Sequence, residues 1–110
     1  MLARTPRFRE RVFTEGERAY CDARGPAAAA QHYAARFAAK EAAFKALRTG
    51  WRDGLAWHHV EVVSGELGAP LLRLSGHARG LFEQMGATHA HLSLSHTAEH
   101  AVAQVICERR

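Results

Sequence analysis

The chain is most constrained by the stretch Arg36-Phe37-Ala38-Ala39-Lys40-Glu41-Ala42-Ala43-Phe44-Lys45-Ala46-Leu47. Apolar or small residues dominate it and neither glycine nor proline interrupts it, so it is a helix by propensity. At 3.6 residues per turn Tyr33, Phe37 and Phe44 fall on one narrow stripe that has to face a core. Glu41 lies within about 40° of Phe37 on that stripe, and Lys45 follows one turn later. A carboxylate at the edge of an apolar face requires a partner. The helix alone leaves two open. One is an i,i+4 ion pair with Lys45, of the kind that stabilises a helix by roughly 0.2–0.5 kcal/mol. The other is a ligand beside the helix, with Glu41 holding a cation and Lys45 an anion.

The rest of the chain is built around this helix. At 110 residues one domain, 1–110, is expected, with a modest core that oligomerisation can extend. No apolar run approaches a membrane span and the start does not read as a signal peptide. Cys21 and Cys107 are far apart and form no CxxC pair, which fits a reduced, cytoplasmic setting. The net charge of +4 favours an anionic partner: nucleic acid, a phosphorylated cofactor or an acidic protein surface.

In order, Arg4, Arg7, Arg9 and Arg11 surround Phe8, Val12 and Phe13, which predicts a short amphipathic helix after Pro6 with a basic face. Thr14 and Glu17 form a capping box opening a helix through about Tyr20. Gly25-Pro26 breaks the chain, the long helix runs from about Ala27 to Arg48, and Thr49-Gly50 stops it. Trp51 to Ala56 reads as a loop with an Asp53-Gly54 turn. Strands are expected over 57–63 and 71–74, joined by a turn over 64–70 that contains Gly68 and Pro70. Ser75 should cap a helix over 76–85, stopped by Gly86. A hairpin closes the chain, 90–95 and 101–107, with Ala90, Leu92 and Leu94 on one face and His91, Ser93 and Ser95 on the other. The sum is an α+β domain: a small antiparallel sheet packed on one long helix with additional short helices.

Eight histidines in the chain include His89, His91, His96 and His100 close together, a zinc-like grouping that lacks a supporting cysteine or aspartate. His96, at a strand end, is suited to proton transfer or to a hydrogen bond with phosphate. The Gly68-Ala69-Pro70 turn reads either as an ordinary hairpin turn or as a place where a ligand approaches backbone. No glycine-rich phosphate loop and no nucleophile elbow is present.

Arg36 to Ala42, with Lys45 following, resembles the [FW]-x-x-K-E-A signature of the 4′-phosphopantetheinyl transferases. His91-Leu92-Ser93-Leu94-Ser95-His96-Thr97, leading to Ala101–Glu108, resembles their second signature. Arg7-Phe8, Thr14-x-x-Glu17, Thr49-Gly50 and Gly68-x-Pro70 stand in the family's order, so the likeness spans nearly the whole chain. It is to the short, holo-acyl-carrier-protein-synthase type.

The resemblance implies transfer of phosphopantetheine from coenzyme A to a serine of an apo-acyl carrier protein of fatty-acid, polyketide or other synthesis. Adenosine 3′,5′-bisphosphate leaves. It implies Mg²⁺, with Glu41 as a metal ligand or as a base acting through metal-bound water, and Lys45 on the pyrophosphate. His96 would touch coenzyme A phosphate or assist proton transfer, with Thr97, Gly68 and Pro70 beside the cofactor. Arg7, Phe8 and Arg11 would receive the acidic carrier protein, and the short members are homotrimers with sites between subunits. The family's opening G-[IVT]-D strand, whose aspartate is a second metal ligand, has no counterpart in Met1-Leu2-Ala3-Arg4. Either the natural chain starts upstream or this is a degenerate member; intact Glu41, Lys45 and His96 favour the first. Two rival readings follow. One is a non-catalytic module binding coenzyme A or carrier protein. The other, a nucleic-acid-binding domain, ranks low because no recognition helix or stacking platform is present.

Overall fold

In the computed structural model residues 7–47, 56–97 and 100–110 are described. The expected Thr49-Gly50 stop and Asp53-Gly54 turn lie outside them. Helices α1 (Phe8–Val12), α2 (Glu15–Asp22) and α3 (Pro26–Ala46) come first. Strands β1 (Val60–Ser64) and β2 (Pro70–Leu74), helix α4 (Gly76–Gln84) and strands β3 (His89–His96) and β4 (Ala101–Glu108) follow. Each agrees with its predicted position to within a few residues, except that Trp57–His59 is a 3₁₀ turn ahead of β1. Among the described residues no helix is long and apolar enough to cross a membrane.

The strands form two antiparallel hairpins, β1–β2 and β3–β4, rather than one continuous ladder. The register Ala90↔Cys107, Leu92↔Val105 and Leu94↔Ala103 continues to His96↔Ala101. Period-two alternation therefore puts His96 on the same face as the leucines. That face packs on α3, while Val102 and Ile106 on the other are 64% and 52% exposed. Two apolar clusters result: Phe44, Leu47, Val60 and Phe82 in one, Val12, Phe13, Cys21 and Tyr33 in the other. Trp57 joins them, its ring tilted against Phe37 at 5.2 Å and edge-on to Phe44 at 5.4 Å.

Helix α3 starts sharply because Gly25 takes φ 88°, open to glycine, and Pro26 supplies a helix-compatible φ at the first position. Its core seam corrects the sequence reading. Tyr33 and Phe44 are buried as expected, but the seam is centred on Lys40, flanked by Arg36, Ala43 and Leu47. Measured around the helix from Lys40, Glu41 lies about 100° away and Lys45 about 140° away. Both are exposed, Phe37 is only half-buried, and Glu41 and Lys45 form no ion pair with one another.

Lys40 is completely buried, and its ammonium reaches Glu17 at 2.9 Å. It also donates to the carbonyls of Trp57, at 3.2 Å, and Val60. Glu17 accepts in addition from the backbone N–H of Thr14 at 2.9 Å and of Val62 at 2.8 Å. The predicted capping box is present. Its glutamate does more than cap, tying α2, α3 and β1 together from inside. Burial pulls the Lys40 ammonium below the ordinary lysine value, and Glu17 opposes that shift.

Removing one partner leaves the other charge buried and unpaired, which costs about 3–5 kcal/mol. Lys40→Met is expected to lower the unfolding free energy by that amount in urea. The double variant Glu17→Gln/Lys40→Met should lose less than the two single losses summed, because neither charge then remains.

Candidate functional site

Four elements converge where α3 passes the end of β3. Tyr20 comes from α2, His32 and Arg36 from successive turns of α3, Gly68 and Pro70 from the β1–β2 turn, and His96 from β3. Together they line a cleft of about 160 Å³. The turn is shaped by left-handed backbone at Leu67, φ 59°, and Gly68, φ 79°, the second of which glycine adopts without strain. His96 reaches the cleft because of its strand register, and its ring meets that of His32 at 5.3 Å. His32 meets Tyr20 at 5.6 Å.

The cleft is cationic. The Tyr20 ring lies between two guanidinium groups, Arg24 at 3.6 Å and Arg36 at 4.0 Å, an arrangement that draws on the ring quadrupole. A hydrogen bond from Arg24 holds the Tyr20 hydroxyl below its ordinary value. Burial lowers the His32 imidazole, and Arg36, His96 and Arg24 press in the same direction. Arg36 is 4% exposed, yet its Nε has no hydrogen-bond partner among the described residues. Such a donor is costly unless a ligand or water satisfies it. Arg36 and two histidines in the lining, with Arg24 beside Tyr20 and no carboxylate in the lining among the described residues, suit an anion with several oxygens.

The structure brings His96, Gly68 and Pro70 together, as the sequence leads one to expect. It does not bring Glu41 and Lys45 to them. Arg36 and His32 lie about 140° and 180° around α3 from Glu41, so the two groups occupy opposite flanks of one helix. Thr97 also lies outside this cleft and lines a separate groove with His100 and alanines of α3. There its N–H donates to the His100 carbonyl at 2.8 Å and its hydroxyl accepts from the His100 N–H at 3.1 Å. Arg7 and Arg11 are exposed, whereas Phe8 is half-buried against Phe37, ring centroids 6.0 Å apart. Asp22 is occupied by Tyr33, whose hydroxyl donates to it at 2.8 Å, and by Arg9 at 3.4 Å.

Among the described residues no three His, Cys, Asp or Glu side chains stand close enough to hold a metal. His91 points away from α3 and contacts Glu108 at 3.1 Å. Sequence reasoning missed Tyr20, His32 and Arg36. The available signal was the i,i+4 pair His32–Arg36, a basic step on a helix otherwise rich in alanine.

The 4′-phosphopantetheinyl transferase superfamily matches residues 1–105, and the chain belongs to it. Within it the resemblance is to enzymes named holo-[acyl-carrier-protein] synthase. That of Geobacter metallireducens is 53% identical over 106 residues, covering 96% of this chain and 82% of the relative. That of Trichlorobacter lovleyi is 55% identical over 98 residues, covering 89% and 76%. Among solved structures, the Chronobacterium ammoniagenes ACPS–CoA complex has a TM-score of 0.82 at 29% identity, covering 99% of this chain and 86% of that one. The Bacillus anthracis holo-(acyl-carrier-protein) synthase in complex with CoA (3′,5′-ADP) has a TM-score of 0.77 at 36% identity, covering 94% and 82%.

An orphaned guanidinium donor beside a cationic cleft sets a direct test. Arg36→Met should weaken the binding of inorganic pyrophosphate about 10-fold or more by calorimetry, since a hydrogen bond to a charged group is worth about 1.5–3 kcal/mol.

Proposed function

We propose that the chain transfers 4′-phosphopantetheine from coenzyme A to a serine of an acyl carrier protein. The observation that carries this reading is the cleft lined by Arg36, His32 and His96 beside the Gly68–Pro70 turn, in a chain of this family. In the reaction the serine oxygen bonds to the phosphorus next to pantetheine. The pyrophosphate P–O bond breaks, the serine proton leaves, and adenosine 3′,5′-bisphosphate departs.

The cleft alone is about half the smallest volume usual for small-molecule sites, ~300–1,000 Å³, being about 160 Å³. Glu41 and Lys45 lie on the far flank of α3. Both facts support a site completed by a second copy, with one subunit's cleft facing the next subunit's Glu41 and Lys45. The exposed Val102 and Ile106 on the outer face of β3–β4 supply apolar surface for such an assembly. We read the assembly as a homotrimer.

Glu41 is exposed and has no ion-pair partner among the described residues, so its carboxylate is uncommitted. A single hard oxygen donor, with substrate oxygens and water, matches the needs of Mg²⁺, which takes few protein ligands. The ion would neutralise charge on the pyrophosphate. Lys45, one turn along, meets the same phosphates as a point charge. His96 donates to coenzyme A phosphate, and Gly68 and Pro70 let the nucleotide approach the backbone. Arg7 and Arg11 offer positive charge to an acidic carrier protein, steering the encounter. Phe8 supports that helix through Phe37.

Mass spectrometry of an apo-acyl carrier protein with coenzyme A tests the reading. Addition of one phosphopantetheine is expected, removed by a chelator and reduced about 100-fold or more in Glu41→Ala, on the scale of losing one preorganised electrostatic contact. Retained coenzyme A binding with no transfer in the unmodified chain would mark a binding module instead. Assembly is tested separately: Val102→Asp/Ile106→Asp should convert a trimer to monomers in sedimentation.

A further inference from the structure

We propose that His32 is a second phosphate-binding histidine of the cleft, seating a phosphoryl group with Arg36 and His96 and taking up a proton as that group binds. This rests on the reading that the cleft receives coenzyme A, and it assigns a role to a residue outside the family signatures quoted above.

His32 lines the cleft one helical turn before Arg36 and meets His96 edge-on at 5.3 Å across it. Tyr20 closes the other side of its ring at 5.6 Å. The groups that face it are Tyr20 and Arg24 from the α2 side, Arg36 on its own helix and His96 from β3. Each of these charged or titratable neighbours is a base or a phenol, and among the described residues no carboxylate stands with them.

Burial and like charge favour the neutral imidazole and hold His32 below the ordinary histidine value. A bound phosphoryl group reverses the balance. A phosphomonoester brings about −1.5 to −2 charges near pH 7, and an opposite charge at contact distance favours the imidazolium. The proton comes from the buffer and goes to His32, which then donates to a phosphoryl oxygen. Because binding takes up a proton, affinity must fall as pH rises, by up to about tenfold per pH unit where the linkage is complete.

The test is calorimetric titration of the whole chain with coenzyme A in two buffers of different ionisation heat, from pH 7.0 to 9.0. Unmodified protein should show net proton uptake near pH 7.5, about half a proton or more. In His32→Gln that uptake should be lost and affinity should drop several-fold at pH 7. The two affinity curves should converge near pH 9, where His32 is neutral even with ligand bound. His32→Lys should keep the affinity while flattening its pH dependence over this range. A residue that only supports the fold would not give convergence or lysine rescue, and circular dichroism melts check that each variant folds. Repeating the titration with 3′-dephospho-coenzyme A tells the monoester from the pyrophosphate as the group seated. If uptake persists in His32→Gln and vanishes in His96→Gln, the proton belongs to His96 and the proposal is overturned. Parallel affinity curves would overturn it too. Absence of coenzyme A binding by the unmodified chain would instead remove the functional reading itself, and this inference with it.

Discussion

A lysine with no exposed surface sets the orientation of everything around it. Lys40 donates to the Glu17 carboxylate and to two backbone carbonyls, and Glu17 accepts from two backbone N–H groups besides. Against an apolar pair of the same shape a buried ion pair is not especially stabilising, because desolvation offsets most of the attraction. What it does supply is direction. An ammonium satisfied by acceptors on α2 and at the start of β1 holds α3 at one rotation about its axis. That rotation turns Arg36 towards the cleft and Glu41 towards solvent.

The electrostatics of the cleft follow from the same rotation. Arg36 and Arg24 both lie against the Tyr20 ring, at 4.0 Å and 3.6 Å from its centre. With the Arg36 Nε unpartnered and His32 kept neutral, the cleft is poised for an anion. Nothing in its lining competes for these donors, since Asp22 is committed to Tyr33 and Arg9. Glu61 is likewise engaged, by the Thr14 hydroxyl at 2.7 Å. Acids in this neighbourhood are thus spoken for by the fold, and the bases are left for a ligand.

Much of the architecture was legible in the sequence. The capping box at Thr14–Glu17, the Gly25-Pro26 start, the period-two hairpin and the glycine after α4 are local signals, and each element forms where they put it. The resemblance put forward His96, Gly68 and Pro70 together, and these three line one cleft. The orientation of α3 was not legible. Periodicity put Tyr33, Phe37 and Phe44 at its core face with Glu41 at the edge, because a lysine and an arginine are ordinarily counted as solvent-facing. Arg36 and Lys40 are buried, and that shifts the seam enough to expose Glu41. Thr97 lines a separate groove because it follows the strand end, where the alternation that aims His96 no longer holds.

The sequence by itself determined the elements, the family and the residue types available for phosphate chemistry, because propensity, capping and short motifs act over a few residues. Only the tertiary structure decided which charges are buried and which are offered to a ligand. That choice depends on partners far along the chain: Glu17 for Lys40, the Val60 carbonyl behind it, and His96 opposite His32. Contacts at such separations leave no periodic trace in the sequence. The division of the candidate residues between two flanks of α3 belongs to the same class of fact, since it follows from how one helix is turned against its neighbours.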